Sequence, residues 1–225
     1  MQVASAFRPA GLGNEIAGDF YDVFALNRTD VLITLGDVCG KGPEAAAVTA
    51  IARYTIRAIA ADVRHPSQIL RRLNTALLEH DIGEGFCSAV AMRTVPIVGG
   101  IRLAICCAGH PYPVVVRADG AVERIGVAGG LLGLFDDVRL REETVQLRRG
   151  DMIVAFTDGI IEAARGCEQF GEARVGQVLA AGRSLSAAQA VDRLVGEVLE
   201  FGGGRARDDI AVVALRVAGD AHSTD

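Results

Sequence analysis

No stretch of this 225-residue chain supplies the roughly 20 consecutive apolar residues that a bilayer-spanning helix needs. The opening residues, Met1-Gln2-Val3-Ala4-Ser5, lack both the basic region and the apolar stretch of a secretory leader. These two absences predict a soluble, cytoplasmic protein with no membrane partner. Basic clusters are missing as well. The 23 Lys and Arg are scattered among 28 Asp and Glu, for a net charge of -5, which excludes the positive footprint of a nucleic-acid binder. There is no C-x-x-C pair among the five cysteines, Cys39, Cys87, Cys106, Cys107 and Cys167. Their odd number and apolar settings describe small buried hydrophobes in a reducing compartment, not disulfides or a zinc site. Cys106 and Cys107 are neighbours on a predicted strand and should point to opposite faces. No internal repeat and no break in composition divides the chain. One domain is therefore expected over residues 1–217, followed by a disordered tail over 218–225.

What is present is an ordered series of apolar segments. Phe20 to Leu26 and Val31 to Leu35 read as two strands joined by a polar turn. The glycine-rich run Gly36-Asp37-Val38-Cys39-Gly40-Lys41-Gly42 follows, and Pro43 and Glu44 then suit the first turn of a helix. Val48, Ile51, Ala52, Ile56 and Ile59 share one face of that helix, and a second begins after Pro66 with Ile69, Leu70, Leu73, Ala76 and Leu77 as its stripe. Strands are then expected at Val90–Val95, Ile101–Cys107, Tyr112–Val116 and Val122–Ile125, with turns at Gly99-Gly100 and Asp119-Gly120. A fully apolar strand, Met152 to Phe156, ends at Thr157-Asp158-Gly159. Ser186 and Gln189 form a capping box for a late helix, and a last strand runs from Ile210 to Val217. Strands come in runs with helices grouped between them, so the fold class is α+β, a strand sandwich covered by helices.

Four aspartates share a context. Asp19, Asp37, Asp158 and Asp208 each sit where an apolar strand meets a turn. Antiparallel strands can bring such ends together at one rim, where carboxylates repel unless cations neutralise them. An all-oxygen cluster suits Mg²⁺ or Mn²⁺ rather than Zn²⁺. Taken singly, each is equally an ordinary turn residue, since Asp tolerates and caps turns. Spacing leaves both readings open.

The ordered motifs Ala17-Gly18-Asp19-Phe20-Tyr21-Asp22, Gly36-Asp37-Val38-Cys39-Gly40-Lys41-Gly42, Ala108-Gly109-His110-Pro111, Leu131-Leu132-Gly133, Gly150-Asp151, Phe156-Thr157-Asp158-Gly159 with Glu162, and Asp208-Asp209-Ile210 resemble the metal-dependent protein phosphatase (PPM, PP2C-like) family in its bacterial SpoIIE/RsbU-type branch. The resemblance implies a four-layer αββα fold, an antiparallel β-sandwich flanked by helices on both sides. It implies two Mn²⁺ or Mg²⁺ ions, with Asp37 bridging both and the Val38 carbonyl as a further ligand. Asp19 corresponds to the carboxylate of the second metal, and Asp158 and Asp208 to the ligands completing the first. Asp22 and Asp209 are neighbouring candidates for the same shell. The implied reaction is hydrolysis of phosphoserine or phosphothreonine on a partner protein, by attack of a metal-bridging hydroxide activated through Asp37. By family analogy the partner is a phosphorylated anti-sigma-factor antagonist, with an upstream sensor domain or activator controlling the enzyme and a dimer as one oligomeric option. Two rival readings are a catalytically silent domain that keeps the fold for binding, and a phosphohydrolase of small molecules.

The chain departs from the family pattern at Ala17, where glycine is common, and has no clear counterpart of the phosphate-binding arginine of eukaryotic phosphatases. Arg8 and Lys41 are the remaining candidates, and both read as solvent-facing. His110 titrates in the right range for a general acid but reads better as a hydrogen bonder at a strand end. Cys39 reads as an inert small side chain, and Gly36, Gly40 and Gly42 as residues that let the backbone turn tightly. In this branch, the helices after the Asp37 turn are associated with switching between active and inactive states, which would couple a partner's binding to metal affinity through Asp37 and Val38.

Overall fold

The computed structural model describes residues 1–10, 18–80 and 85–218. Ala17 of the first motif lies outside them, as does the predicted tail beyond Ala218. The strands are β1 (Gln2–Arg8), β2 (Asp19–Ala25), β3 (Val31–Val38), β4 (Cys87–Ile97), β5 (Gly100–Ala108), β6 (Val114–Val116), β7 (Val122–Arg124), β8 (Glu142–Arg148), β9 (Met152–Phe156), the short pair β10 (Ala164–Arg165) and β11 (Glu168–Gln169), and β12 (Ile210–Arg216). The helices are α1 (Pro43–Ala60), α2 (Pro66–Glu79), α3 (Asp158–Ile161), α4 (Gly171–Ala181) and α5 (Ala187–Phe201). One five-stranded sheet has the order β2-β3-β4-β5-β8 and the other β1-β12-β9-β6-β7, and every ladder in both is antiparallel.

Side-chain parity explains the layering. In β3, Leu32 and Val38 join one apolar cluster with Val48, Ala52 and Ile56 of α1 and Ile69, Leu70, Leu73 and Leu77 of α2. Ile33 and Leu35, one residue out of phase, instead pack across to Ile153, Ala155, Ala211, Val213 and Leu215 of the second sheet. The even-numbered residues of β9 and β12 then meet Val191, Leu194, Val195 and Val198 of α5 and Val175 and Leu179 of α4. Both faces of the central strands are therefore buried, which is why they read as continuous apolar runs. Three stacked cores make four layers, αββα, the architecture expected from the sequence. Cys106 and Cys107 confirm the parity, the first facing the helices and the second the space between the sheets. Burial pushes the thiols of Cys87, Cys106 and Cys107 up to about 12, so they behave as apolar side chains.

Two local expectations shift. The hairpin turn falls on Val98 and Gly99, while Gly100 already belongs to β5, where an added Cβ would lie 2.1 Å from the Leu147 carbonyl oxygen. On α2, buried Asn74 joins the apolar stripe because its side chain donates to the Phe135 carbonyl and accepts from the Gly133 amide, tying the helix to the β7–β8 connection. Among the described residues, no helix is long and apolar enough to cross a membrane.

Candidate metal centre

The first two motifs meet because β2 and β3 pair in a register that places Asp19 directly opposite Asp37. Such partners have Cβ atoms roughly 4.5–5.5 Å apart. Both residues have the odd parity of Tyr21, Val23, Ile33 and Leu35, so their carboxyl groups point between the sheets, at one rim of the sandwich. The second sheet delivers its own acids to this rim: Asp158 follows β9 after Thr157, and Asp208 and Asp209 directly precede β12. Antiparallel pairing of β9 with β12 sets those two ends side by side. Gly159 permits the approach, since a Cβ there would fall 2.0 Å from the Asp209 carbonyl oxygen. Gly18 does the same for the first sheet: a Cβ would stand 2.5 Å from the Val38 carbonyl oxygen and 3.1 Å from Asp37 Oδ1. The Val38 amide donates to the Gly18 carbonyl and the Cys39 amide to that of Phe86, which pins the loop carrying the Val38 carbonyl.

The electrostatics of the rim are those of crowded acids. Burial, then the charges of Asp37, Asp209 and Asp158, raise Asp19 to about 8, although a hydrogen bond from Thr157 Oγ1 at 2.6 Å opposes the shift. Burial, followed by Asp158 and Asp208, raises Asp37 to about 7, and its carboxyl shares a hydrogen bond with that of Asp19. Asp158 is raised by burial, by Glu162 and by Asp208. The charges of Asp19, Asp37, Asp158 and Asp208 thus act on one another across this rim, with Glu162 and Asp209 beside them. Among the described residues, no three acidic, His or Cys side chains form a finished ion cage. Asp19 accepts from Thr157, and Lys41 Nζ lies 3.3 Å from Asp208 Oδ1. The donor set, hard oxygen ligands bearing unneutralised like charge, fits a divalent cation of the Mg²⁺ or Mn²⁺ type.

Two further candidates are engaged elsewhere. Asp22 lies on the opposite face of β2 from Asp19, where Arg57 of α1 grips it through Nε at 2.5 Å and a second nitrogen at 2.7 Å. The same guanidinium stacks 4.6 Å from the Phe24 ring centroid, so Asp22 ties α1 to the sheet. Asp209 accepts the amides of Ala10 at 2.7 Å and Gly18 at 3.1 Å, clamping the chain on either side of residues 11–17.

His110 is buried, with Nδ1 2.7 Å from Ser88 Oγ, while Nε2, beside the Phe156 backbone, makes no well-formed hydrogen bond. Burial drives its pKa down to about 3, so the ring stays neutral and bridges strand ends, the role read from sequence. Thr157 is the residue that sequence reasoning quoted without assigning a task. Completely buried, it donates to Asp19 while accepting the Ala211 amide at 2.9 Å, linking the two sheets at the acidic rim. Its place immediately before Asp158 was the one available signal.

Asp37, Asp158 and Asp208 open onto a cavity of about 650 Å³ whose lining also includes Phe86, Tyr112 and Leu131. Lys41 lines this cavity. Arg8, the other candidate cation, bonds its neighbour's carbonyl on β1 and is exposed there.

A family model described as Stage II sporulation protein E (SpoIIE) matches residues 27–218. Protein IcfG of Synechocystis sp. is 25% identical over 242 residues, covering 95% of this chain and 37% of IcfG. Phosphoserine phosphatase RsbU of Bacillus subtilis is 24% identical over 203 residues, covering 90% of this chain and 60% of RsbU. The chain thus spans between about a third and three-fifths of these two relatives. Among solved structures, the SiaA-PP2C domain of Pseudomonas aeruginosa superposes with a TM-score of 0.81 at 24% identity, covering 95% of this chain and 85% of that one. Matched over most of its length, with the four-layer fold and the acidic rim in place, the chain belongs to the SpoIIE family, within the SpoIIE/RsbU branch of the PPM phosphatases.

Proposed function

We propose that this chain is a divalent-metal-dependent protein phosphatase domain that removes phosphate from phosphoserine or phosphothreonine on a partner protein. The observation that carries the proposal is the meeting of acids from both sheets at one rim, where Asp37, Asp158 and Asp208 line one open cavity and Asp19 stands opposite Asp37 on the neighbouring strand. In this reading Asp37 and the Val38 carbonyl, together with Asp19, Asp158 and Asp208, hold two Mn²⁺ or Mg²⁺ ions. When bound, the ions neutralise phosphate charge and acidify water, which supplies a nucleophile at neutral pH.

The chain's own contribution is positioning. Thr157 fixes the Asp19 carboxyl from across the sandwich, and the absent Cβ of Gly18 keeps the Val38 carbonyl accessible. Asp209 anchors the backbone amide of Gly18, the residue just before Asp19. Phe86, Tyr112 and Leu131 offer the departing Ser or Thr and its neighbours an apolar wall that excludes water. The ring of His110, neutral and bonded to Ser88, supports the site and does not deliver a proton.

The substrate proposed by family resemblance is a phosphorylated anti-sigma-factor antagonist, with control by a sensor domain or activator. All five cysteines are free thiols, three of them buried, which supports a reducing, cytoplasmic setting. Phosphorylated antagonist proteins, unrelated phosphoproteins and small phosphate esters should be compared with Mn²⁺, with Mg²⁺ and with chelator. Metal-dependent release from the antagonist at a kcat/KM at least about a hundredfold above the small esters is expected, because remote contacts then contribute to the transition state. Equal turnover of metabolite esters would instead assign a small-molecule phosphohydrolase, and no turnover with any metal would leave a binding domain.

A further inference from the structure

We propose that Lys41 is the phosphate-binding cation of this site, exchanging its bond to Asp208 for the phosphoryl oxygens of the substrate. The inference rests on the phosphatase reading above and deepens it. A phosphate ester entering the cavity meets the carboxylates of Asp37, Asp158, Asp208 and Glu172. Among the described residues lining it, Lys41 alone carries a fixed positive charge, because His110 is held neutral by burial. Arg8, the alternative cation, is not among the lining residues.

The contacts of Lys41 suit an exchange. Its Nζ lies 3.3 Å from Asp208 Oδ1, with the two side chains 48% and 49% exposed. Exposed ion pairs of this kind are weak and give way readily to a stronger partner. A phosphate dianion is that partner, offering several charged oxygens to one ammonium. Cations drawn to Asp208 would compete with Lys41 for the same carboxylate, turning the ammonium toward the cavity as the site fills. Gly40 and Gly42 flank the lysine with φ values of 103° and 90°, a conformation costly for other residues, and among the described residues no atom crowds the place of a Cβ at either. Lys41 therefore stands in the turn between β3 and α1, three residues from Val38, on a flexible four-carbon stem.

The test uses the whole chain, loaded with saturating Mn²⁺, and compares Lys41→Met and Lys41→Arg with the parent. Inorganic phosphate is the probe, measured as a competitive inhibitor of para-nitrophenyl phosphate hydrolysis and directly by calorimetry, with Mn²⁺ affinity measured in parallel. Loss of one charge-assisted contact predicts phosphate binding weakened about tenfold in Lys41→Met, with kcat/KM lowered by a similar factor. Lys41→Arg should recover phosphate binding to within about threefold, since charge rather than fork geometry is required. Mn²⁺ should bind Lys41→Met as tightly as the parent or more tightly, because a competitor for Asp208 is gone. Unchanged phosphate affinity in Lys41→Met beside an active parent would overturn the proposal and leave the phosphatase reading intact. Weakened Mn²⁺ binding, with the phosphate defect vanishing at saturating Mn²⁺, would also overturn it and make Lys41 a support for Asp208. A parent protein without metal-dependent hydrolysis would instead sink the underlying assignment.

Discussion

Strands β3 and β9 each carry an aspartate at both ends, and the two ends of the sandwich treat them in opposite ways. At one end, Asp30 is held by the guanidinium of Arg93 and by Thr29 and Asn27; burial would raise its pKa, but these contacts hold it below the usual carboxylate range. Asp151, at the same end of the molecule, accepts from Arg117 at 3.0 Å and from the amides of Ala118 and Arg148 at 2.9 and 3.0 Å. At the other end, Asp37 and Asp158 face further acids and both are raised. A buried carboxylate that serves the fold is given its cation or its amides by the protein; one left among like charges must obtain its cation from solution. The contrast separates a rim of crowded acids from a rim of neutralised ones within single strands.

Breaking the functional end should have the largest effect on activity and little on the fold. Asp37→Asn is expected to lower metal-dependent hydrolysis by at least about a thousandfold, the scale of losing electrostatic stabilisation at a reacting centre. Its melting temperature in chelator should equal or exceed the parent's, because a repulsive charge has been removed. A large drop in that melting temperature would show that Asp37 is held by something other than its neighbours' acids.

The structural end should respond the other way. Arg93→Ala leaves Asp30 buried without its guanidinium, and a loss of about 3 kcal/mol in chemical unfolding is expected. Turnover measured well below the melting temperature should stay within about twofold of the parent, since no residue of the acidic rim is touched.

The pH dependence of stability sharpens the same distinction. Asp19 and Asp37 are raised to about 8 and about 7, so between roughly pH 4 and pH 8 the native state binds more protons than the unfolded chain. Metal-free protein should therefore lose stability as pH rises through that window. Asp30, whose pKa is lowered, contributes stability above the unfolded carboxylate value and loses it only as pH falls through its own. The melting temperature in chelator should peak near pH 5 and fall by several degrees by pH 8, and Mn²⁺ or Mg²⁺ should abolish the fall. A melting temperature that climbs from pH 5 to 8 in chelator would contradict the crowded-acid description.

The smallest effect is expected at Asp22. Arg57 is half-exposed, so Arg57→Ala should cost only about 1 kcal/mol and leave the affinity for Mn²⁺ unchanged. A marked change in metal binding would return Asp22 to the candidate ligands.

Much of this arrangement is legible along the chain, and the exceptions are instructive. Strand β9 has the bounds read from its apolar run, and the capping box of Ser186 and Gln189 opens α5 as expected, with both hydrogen bonds formed. Helix α4 is not legible in the sequence because it buries only Val175 and Leu179, too few to make a stripe. Strand β1 is not legible either, because an edge strand with one covered face carries a weak pattern. Asp30 and Asp37 lie at opposite ends of β3, and what distinguishes them is the position of Arg93, which lies 63 residues from Asp30.

The sequence by itself determined an α+β strand sandwich covered by helices, because periods of 2 and 3.6 in apolar residues encode which faces must be buried. It also determined the inventory of acids, glycines and the one cavity lysine. Only the tertiary structure decided which acids are neutralised by the protein and which are left to repel one another. That decision depends on register and on distances between residues far apart in the chain, and electrostatic energy is a function of those distances, not of order along the sequence.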